Sequence, residues 1–175
     1  MRTFKTAFFV AILAFFFFAA SSYGADVANI GIVDIQRVVE ESSAGKKIKA
    51  EITQRGKEME ADLKKKGTEI EGLKKKLERE AAVMSPDQRQ KRAREVDIKI
   101  YDFKALKKQY NEELLKFQNK KLDSMRKDIY EVVQEMGKRG GYLLIVEKIG
   151  VLYYPKTIDV TDELVKMYNA RYAGK

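Results

Sequence analysis

Two tetrads have the spacing of an activated nucleophile. Ser43-Ala44-Gly45-Lys46 and Ser124-Met125-Arg126-Lys127 each place a serine three residues before a lysine, as in the S-x-x-K element of penicillin-interacting enzymes. Two such hits are what chance supplies in a chain with 35 Lys+Arg among 175 residues. The companion K-T-G element is missing, and Ser124 lies inside a helical pattern. The chain contains no histidine and no cysteine. That removes imidazole acid–base chemistry, thiolate and imidazole metal ligation, and disulfides. No G-x-G-x-x-G or G-x-x-x-x-G-K run offers a phosphate cradle. The adjacent acids Glu112 and Glu113 sit side by side on one helix and cannot face each other across a cleft. The expectation is a protein that is not an enzyme and holds no metal or cofactor.

What remains is charge and hydrophobic pattern. Charged residues are 35% of the chain and the formal net charge is +9, more charge than a compact globule usually carries. Most of the charge belongs to one helix-patterned run from Gly45 to Arg139, broken only by Met84-Ser85-Pro86-Asp87. That run holds 27 Lys+Arg against 18 Asp+Glu, a net +9. Its distal part, residues 64–108, holds 15 against 8. The basic tip comprises Lys64, Lys65, Lys66, Lys74, Lys75, Lys76, Arg79, Arg89, Lys91, Arg92 and Arg94. A charge run is most often a solvated face, but a net field of this sign attracts anionic partners over distance.

In the outgoing half, Ile52, Met59, Leu63, Ile70, Leu73 and Leu77 recur at steps of four and three, a coiled-coil spacing. Gly56 and Lys66 fill two places of that stripe badly. Gly67 and Gly72 soften the helix further, each by roughly 1 kcal/mol relative to alanine. Ser85 can cap the returning helix with Pro86 at its first position. That helix runs to about Arg139, roughly 80 Å at 1.5 Å per residue, against roughly 58 Å for the outgoing one. Its stripe is stronger: Val96, Ile100, Phe103, Tyr110, Leu114, Leu122, Met125, Ile129, Val132 and Met136, with a stutter near Gln118. Apolar residues off the stripe include Ile98, Tyr101, Leu106, Leu115, Phe117 and Tyr130. The fold class expected is α+β, mostly α: a long antiparallel helical hairpin arm (45–139, tip 84–87) on a small strand-containing body (25–44 with 140–175).

Residues 1–24 read as a secretory signal peptide: Arg2 and Lys5, then the uncharged run Ala7–Ala20, then small residues. The apolar run is short for a spanning helix, which needs about 20 residues. Cleavage after Gly24 suits the small-residue rule better than cleavage after Ala25. In the body, Asn29–Ile35 reads as a strand apolar on both faces, and Ser42 or Ser43 as a cap for the arm. Tyr142–Glu147 reads as a second strand. Lys148-Ile149-Gly150 reads as a turn into a third strand, Val151–Tyr154, which makes a β-hairpin. Thr161 reads as the cap of a last helix. Strands apolar on both faces in so small a body leave uncovered surface and open edges. Self-association through Ile30, Ile32, Val33, Leu143, Ile145, Val151 and Tyr153 is the economical repair.

The order of these parts resembles the Skp/OmpH family of periplasmic chaperones. The first matching motif is IGIVDIQRVVEESSAGKK, at Ile32, Val33, Asp34, Val38 and Gly45-Lys46-Lys47. The second is LLIVEKIGVLYYPKTIDVTDELVKMYN, at Val146, Val151, Tyr153, Asp159, Thr161, Asp162 and Leu164. The resemblance implies a homotrimer in which strands of three chains close a barrel and three arms enclose a cavity. It implies an ATP-independent holdase for unfolded outer-membrane β-barrel proteins. On that reading the cavity lining includes Ile98, Tyr101, Phe103, Leu106, Tyr110 and Phe117. The alternative is a coiled-coil envelope protein whose basic tip binds lipopolysaccharide or anionic lipid. Nucleic acid is a partner that a secreted basic arm would rarely meet.

Overall fold

A computed structural model describes residues 29–172; the signal-peptide expectation lies outside them. The element order is β1 (Ile30–Val33), α1 (Ile35–Glu41), α2 (Ser43–Glu80), α3 (Pro86–Gly140), β2 (Leu144–Glu147) and α4 (Thr161–Tyr172). Helices α2 and α3 form the hairpin and contain 38 and 55 residues. At 1.5 Å per residue the longer one reaches about 82 Å.

Local chemistry sets each boundary of the hairpin. The Ser42 side chain accepts from the Gly45 backbone N–H at 3.1 Å and starts α2. At the tip, the Ser85 hydroxyl accepts from Gln88 N while the Gln88 side chain accepts from Ser85 N. With Pro86 at the first position this is a complete capping box. Helix α3 ends on Gly141, whose φ of 62° is left-handed, and Tyr142 N donates back to Gly137 O at 3.0 Å. Only a residue without Cβ adopts that conformation freely.

The two helices run antiparallel and are tied by four polar pairs. Glu51 meets Lys121 (2.6 Å), Arg55 meets Glu113, Asp62 accepts from the Tyr110 hydroxyl (2.9 Å), and Glu69 meets Lys99 (2.8 Å). As the first number of each pair rises, the second falls. Met59, Ile70 and Val96 are buried between the helices, and Lys66 is exposed, as the weak stripe requires. The three arm glycines have room. A Cβ on Gly56 would stand 3.6 Å from Leu114, one on Gly67 3.9 Å from Phe103, and one on Gly72 would meet nothing within 4 Å. Gly72→Ala is therefore expected to stabilise the arm by about 0.5–1 kcal/mol, through helix propensity alone. An upward shift of the arm's melting transition by circular dichroism checks this.

The core lies at the base of the hairpin. Met125, Ile129, Val132 and Met136 of α3 pack with Val33, Ile35 and Val38 and with Leu164, Tyr168 and Tyr172 of α4. The body is thus built largely on helices, and the arm's own base runs into it.

Several strand-level expectations are corrected here. β1 stops at Val33 because Asp34 caps α1: its carboxylate accepts from Arg37 N at 3.1 Å. Ile35 therefore belongs to a helix. The stretch Val151–Tyr154 forms no strand, and the expected hairpin with β2 is absent. Lys148–Gly150 is a 3-10 turn that redirects the chain, and Lys148 Nζ is drawn to Asp34 at 2.9 Å. β2 pairs instead with β1, in parallel, with Ile30 opposite Leu144 and Val33 opposite Glu147. A connection as long as the arm permits parallel pairing, which a short turn cannot. Thr161 does not cap α4. It is the first helical residue, its N–H donates to Asp159 Oδ1, and its hydroxyl accepts from Asp34 N, both at 3.0 Å.

Asp34 is accordingly a hub joining β1, α1, the 3-10 turn and α4. Burial alone would raise its carboxyl, but the hydrogen bonds from Lys148 and Arg37 N, with the charges of Lys148 and Arg37, outweigh it and hold it below the ordinary range. Burial likewise pushes Asp159 up, and the bonds from Thr161 and Tyr154 more than reverse it. Both folded values lie below the unfolded ones. The stability they contribute is complete above the unfolded carboxylate range, near pH 4, and is lost as pH falls through the folded values. Acid titration followed by circular dichroism should show loss of body structure below about pH 4, and a shallower loss in Asp34→Asn.

Candidate client-binding arm

The arm presents two apolar faces besides the one buried between α2 and α3. The six candidate residues divide between them. Phe103, Leu106, Tyr110 and Phe117 are half-buried and lie along the flank that carries the polar ties. Ile98 and Tyr101 are 60% and 73% exposed and turn away from α2. At 100° per residue they share that outward stripe with Leu115 and Tyr130, which are exposed as well. The six therefore do not form one surface. Leu115 and Tyr130 were visible in the sequence as off-stripe residues, but nothing in the pattern separated the two faces.

Tyr110 is the most constrained of the six. Its hydroxyl donates to Asp62, and the hydrogen bond, burial and the Asp62 charge raise its pKa. Phe117 carries the Lys121 ammonium 5.4 Å from its ring centroid, a cation–π contact. Glu51 is held below its ordinary range chiefly by the bond from Lys121, and Glu69 chiefly by the bond from Lys99. The Glu69–Lys99 pair is solvent-exposed and the Glu51–Lys121 pair only partly buried, so both give register more than stability.

The basic-tip residues are spread around both helices, and all eleven are exposed. Among the described residues no group of His, Cys, Asp or Glu could hold a metal ion, and no helix is long and apolar enough to cross a membrane.

The residues expected to mediate self-association are also divided. Ile32 and Val33 are 3% and 2% exposed, covered by their own chain. Val33 packs in the core at the arm's base. Ile30, Leu143 and Tyr153 stand in solvent, with Leu144, Ile149 and Leu152 beside them in sequence. Ile145 and Val151 are half-buried. The sequence reading missed Ile149 and Leu152 because their exposure follows from the strand over Val151–Tyr154 that does not form, and Leu144 because it is the exposed first residue of β2.

A model of the outer membrane protein (OmpH-like) family matches residues 29–168, which is nearly all of the described chain. The chain belongs to the OmpH-like family. A Skp-like protein of Pseudomonas aeruginosa is 24% identical over 161 residues, spanning 92% of this chain and 95% of that one. The fold is shared with the crystal structure of a putative outer membrane chaperone (OmpH-like) from Caulobacter crescentus, with a TM-score of 0.79 at 18% identity. That match covers 86% of this chain and 89% of the other. Family membership agrees with the mostly helical hairpin architecture.

Proposed function

We propose that this protein is a periplasmic chaperone that holds unfolded outer-membrane β-barrel proteins, without ATP, between basic helical arms. The observation that carries the reading is the arm itself. It is a long hairpin of net +9 with apolar side chains left exposed outside its helix–helix seam. Unfolded β-barrel chains alternate apolar and polar residues and aggregate readily. A basic field gathers those that are acidic, and scattered apolar contacts retain them without a single tight pocket.

The working form in this reading is a homotrimer, assembled through the exposed apolar residues Ile30, Leu143, Leu144, Ile149, Leu152 and Tyr153 of the body. Large apolar side chains exposed in this number on one small body support a protein–protein interface. The chain reaches the periplasm through removal of residues 1–24. The test is mass measurement by light scattering, alone and after mixing with a urea-unfolded outer-membrane barrel protein. A trimer mass that rises by one client mass supports the reading. A monomer that leaves the client in aggregates overturns it. Binding to lipopolysaccharide vesicles with no effect on the client would favour the envelope-protein alternative.

A further inference from the structure

Two of the open cavities along the arm include a phenylalanine of α3 in their lining. One, of about 340 Å³, is lined by Phe103, Leu106 and Ile70, with Lys66, Glu69 and Lys99 around them. The other is a shallower, more open depression lined by Phe117, Ala50 and Gln54, with Glu51, Arg55 and Glu58. They share a flank. The tie-forming residues Glu51, Arg55, Asp62 and Glu69 are spaced 4, 7 and 7 apart on α2, close to whole helical turns, so all four project to one side. The first cavity includes Glu69 and the second includes Glu51 and Arg55. Between them in sequence, the Tyr110 hydroxyl donates to Asp62.

The separation of the two is set by helix geometry. Phe103 and Phe117 are fourteen residues apart on one helix, about 21 Å. An extended chain rises about 3.4 Å per residue, so six residues span about 20 Å. Six is even, and the side chains at either end of that span therefore point to the same side.

We propose that these cavities are paired sockets for one extended, acidic polypeptide segment, taking large apolar side chains at positions i and i+6. The inference rests on the client-holding reading above and adds a register to it. Residues 64–108 carry 15 Lys+Arg against 8 Asp+Glu, and this field favours an acidic segment. The socket rims themselves include Glu69 and Asp102 at one and Glu51 and Glu58 at the other. Those acids oppose the continuous phosphates of a nucleic acid at contact distance, whereas a peptide backbone is neutral there. A segment with the strand alternation of a β-barrel protein carries such i, i+6 apolar pairs throughout its length.

The test uses the whole mature protein and acidic fluorescein-labelled peptides of thirteen residues and one composition. They carry two phenylalanines at i, i+6 or at i, i+5, and binding is read by anisotropy. The i, i+6 peptide is expected to bind about tenfold more tightly, the worth of one partly buried phenylalanine. Ala105→Arg at the first cavity, or Ala50→Arg at the second, should abolish the preference. Both positions are exposed on helices, so folding is preserved. Equal affinity for both spacings in the unmodified protein overturns the sockets, as does a preference that survives both substitutions or full competition by oligothymidylate. If an unfolded barrel protein is still held while no spacing preference exists, the sockets fail and the chaperone reading stands. If neither occurs, both fail.

Discussion

Gly45→Ala should destabilise the body by about 3 kcal/mol or more, a large fraction of what a domain of this size possesses. Gly45 is buried in the first turn of α2, where α1 and α2 meet across Ser42. A Cβ there would stand 1.8 Å from the Val39 carbonyl oxygen and 2.8 Å from its carbon. Both atoms are backbone, so no side-chain rotation relieves the clash. The angle between α1 and α2 must open, and this pulls at Val38, which is fully buried in the core. Gly72→Ala, in the same helix, has the opposite sign because nothing faces it. A denaturant titration of the two variants separates the cases. A midpoint for Gly45→Ala equal to that of the unmodified protein would show that the α1–α2 junction is not the fixed point described.

The second large effect is on encounter. Replacing Lys74, Lys75 and Lys76 with glutamate takes the arm from +9 to +3. All three side chains are exposed and none is tied across the hairpin, so the helix should persist. Association with an acidic unfolded barrel protein at low salt should slow by about tenfold or more, because field-steered rates depend steeply on charge. The difference should shrink as ionic strength rises, since the Debye length is about 8 Å at 0.15 M. Stopped-flow fluorescence at several salt concentrations reads it. Dissociation, set by apolar contacts, should change little. An unaltered association rate at low salt would show that the tip charge is only a solvated surface.

The hairpin was legible because its signals are local. Ser85-Pro86 fixes the turn, the two stripes fix the facing sides, and Gly140-Gly141 marks the end; each depends on residues within one or two helical turns. The body was less so, because its contacts join distant residues. Asp34 looked like part of a strand, yet it caps α1 and receives Lys148 from 114 residues away. Thr161 had the residue type of a cap, but its own N–H donates to Asp159 and its hydroxyl accepts from Asp34 N. The stretch Val151–Tyr154 has strand composition, but no edge of the chain reaches it, and composition reports only that a stretch suits a pleated surface. On the arm, apolar residues off the seam were visible one by one. Their division into a tied flank and an outward stripe needed the phase of α3 relative to α2.

The central claim is that the arms hold unfolded chains. Its most direct test dilutes a urea-unfolded outer-membrane barrel protein into increasing amounts of the mature protein and follows turbidity. The account predicts suppression that is complete only when the chaperone chains match or exceed the client in number, is unchanged by ATP, and weakens in the triple glutamate variant. Turbidity that is unaffected, or is suppressed only when ATP is present, would contradict it.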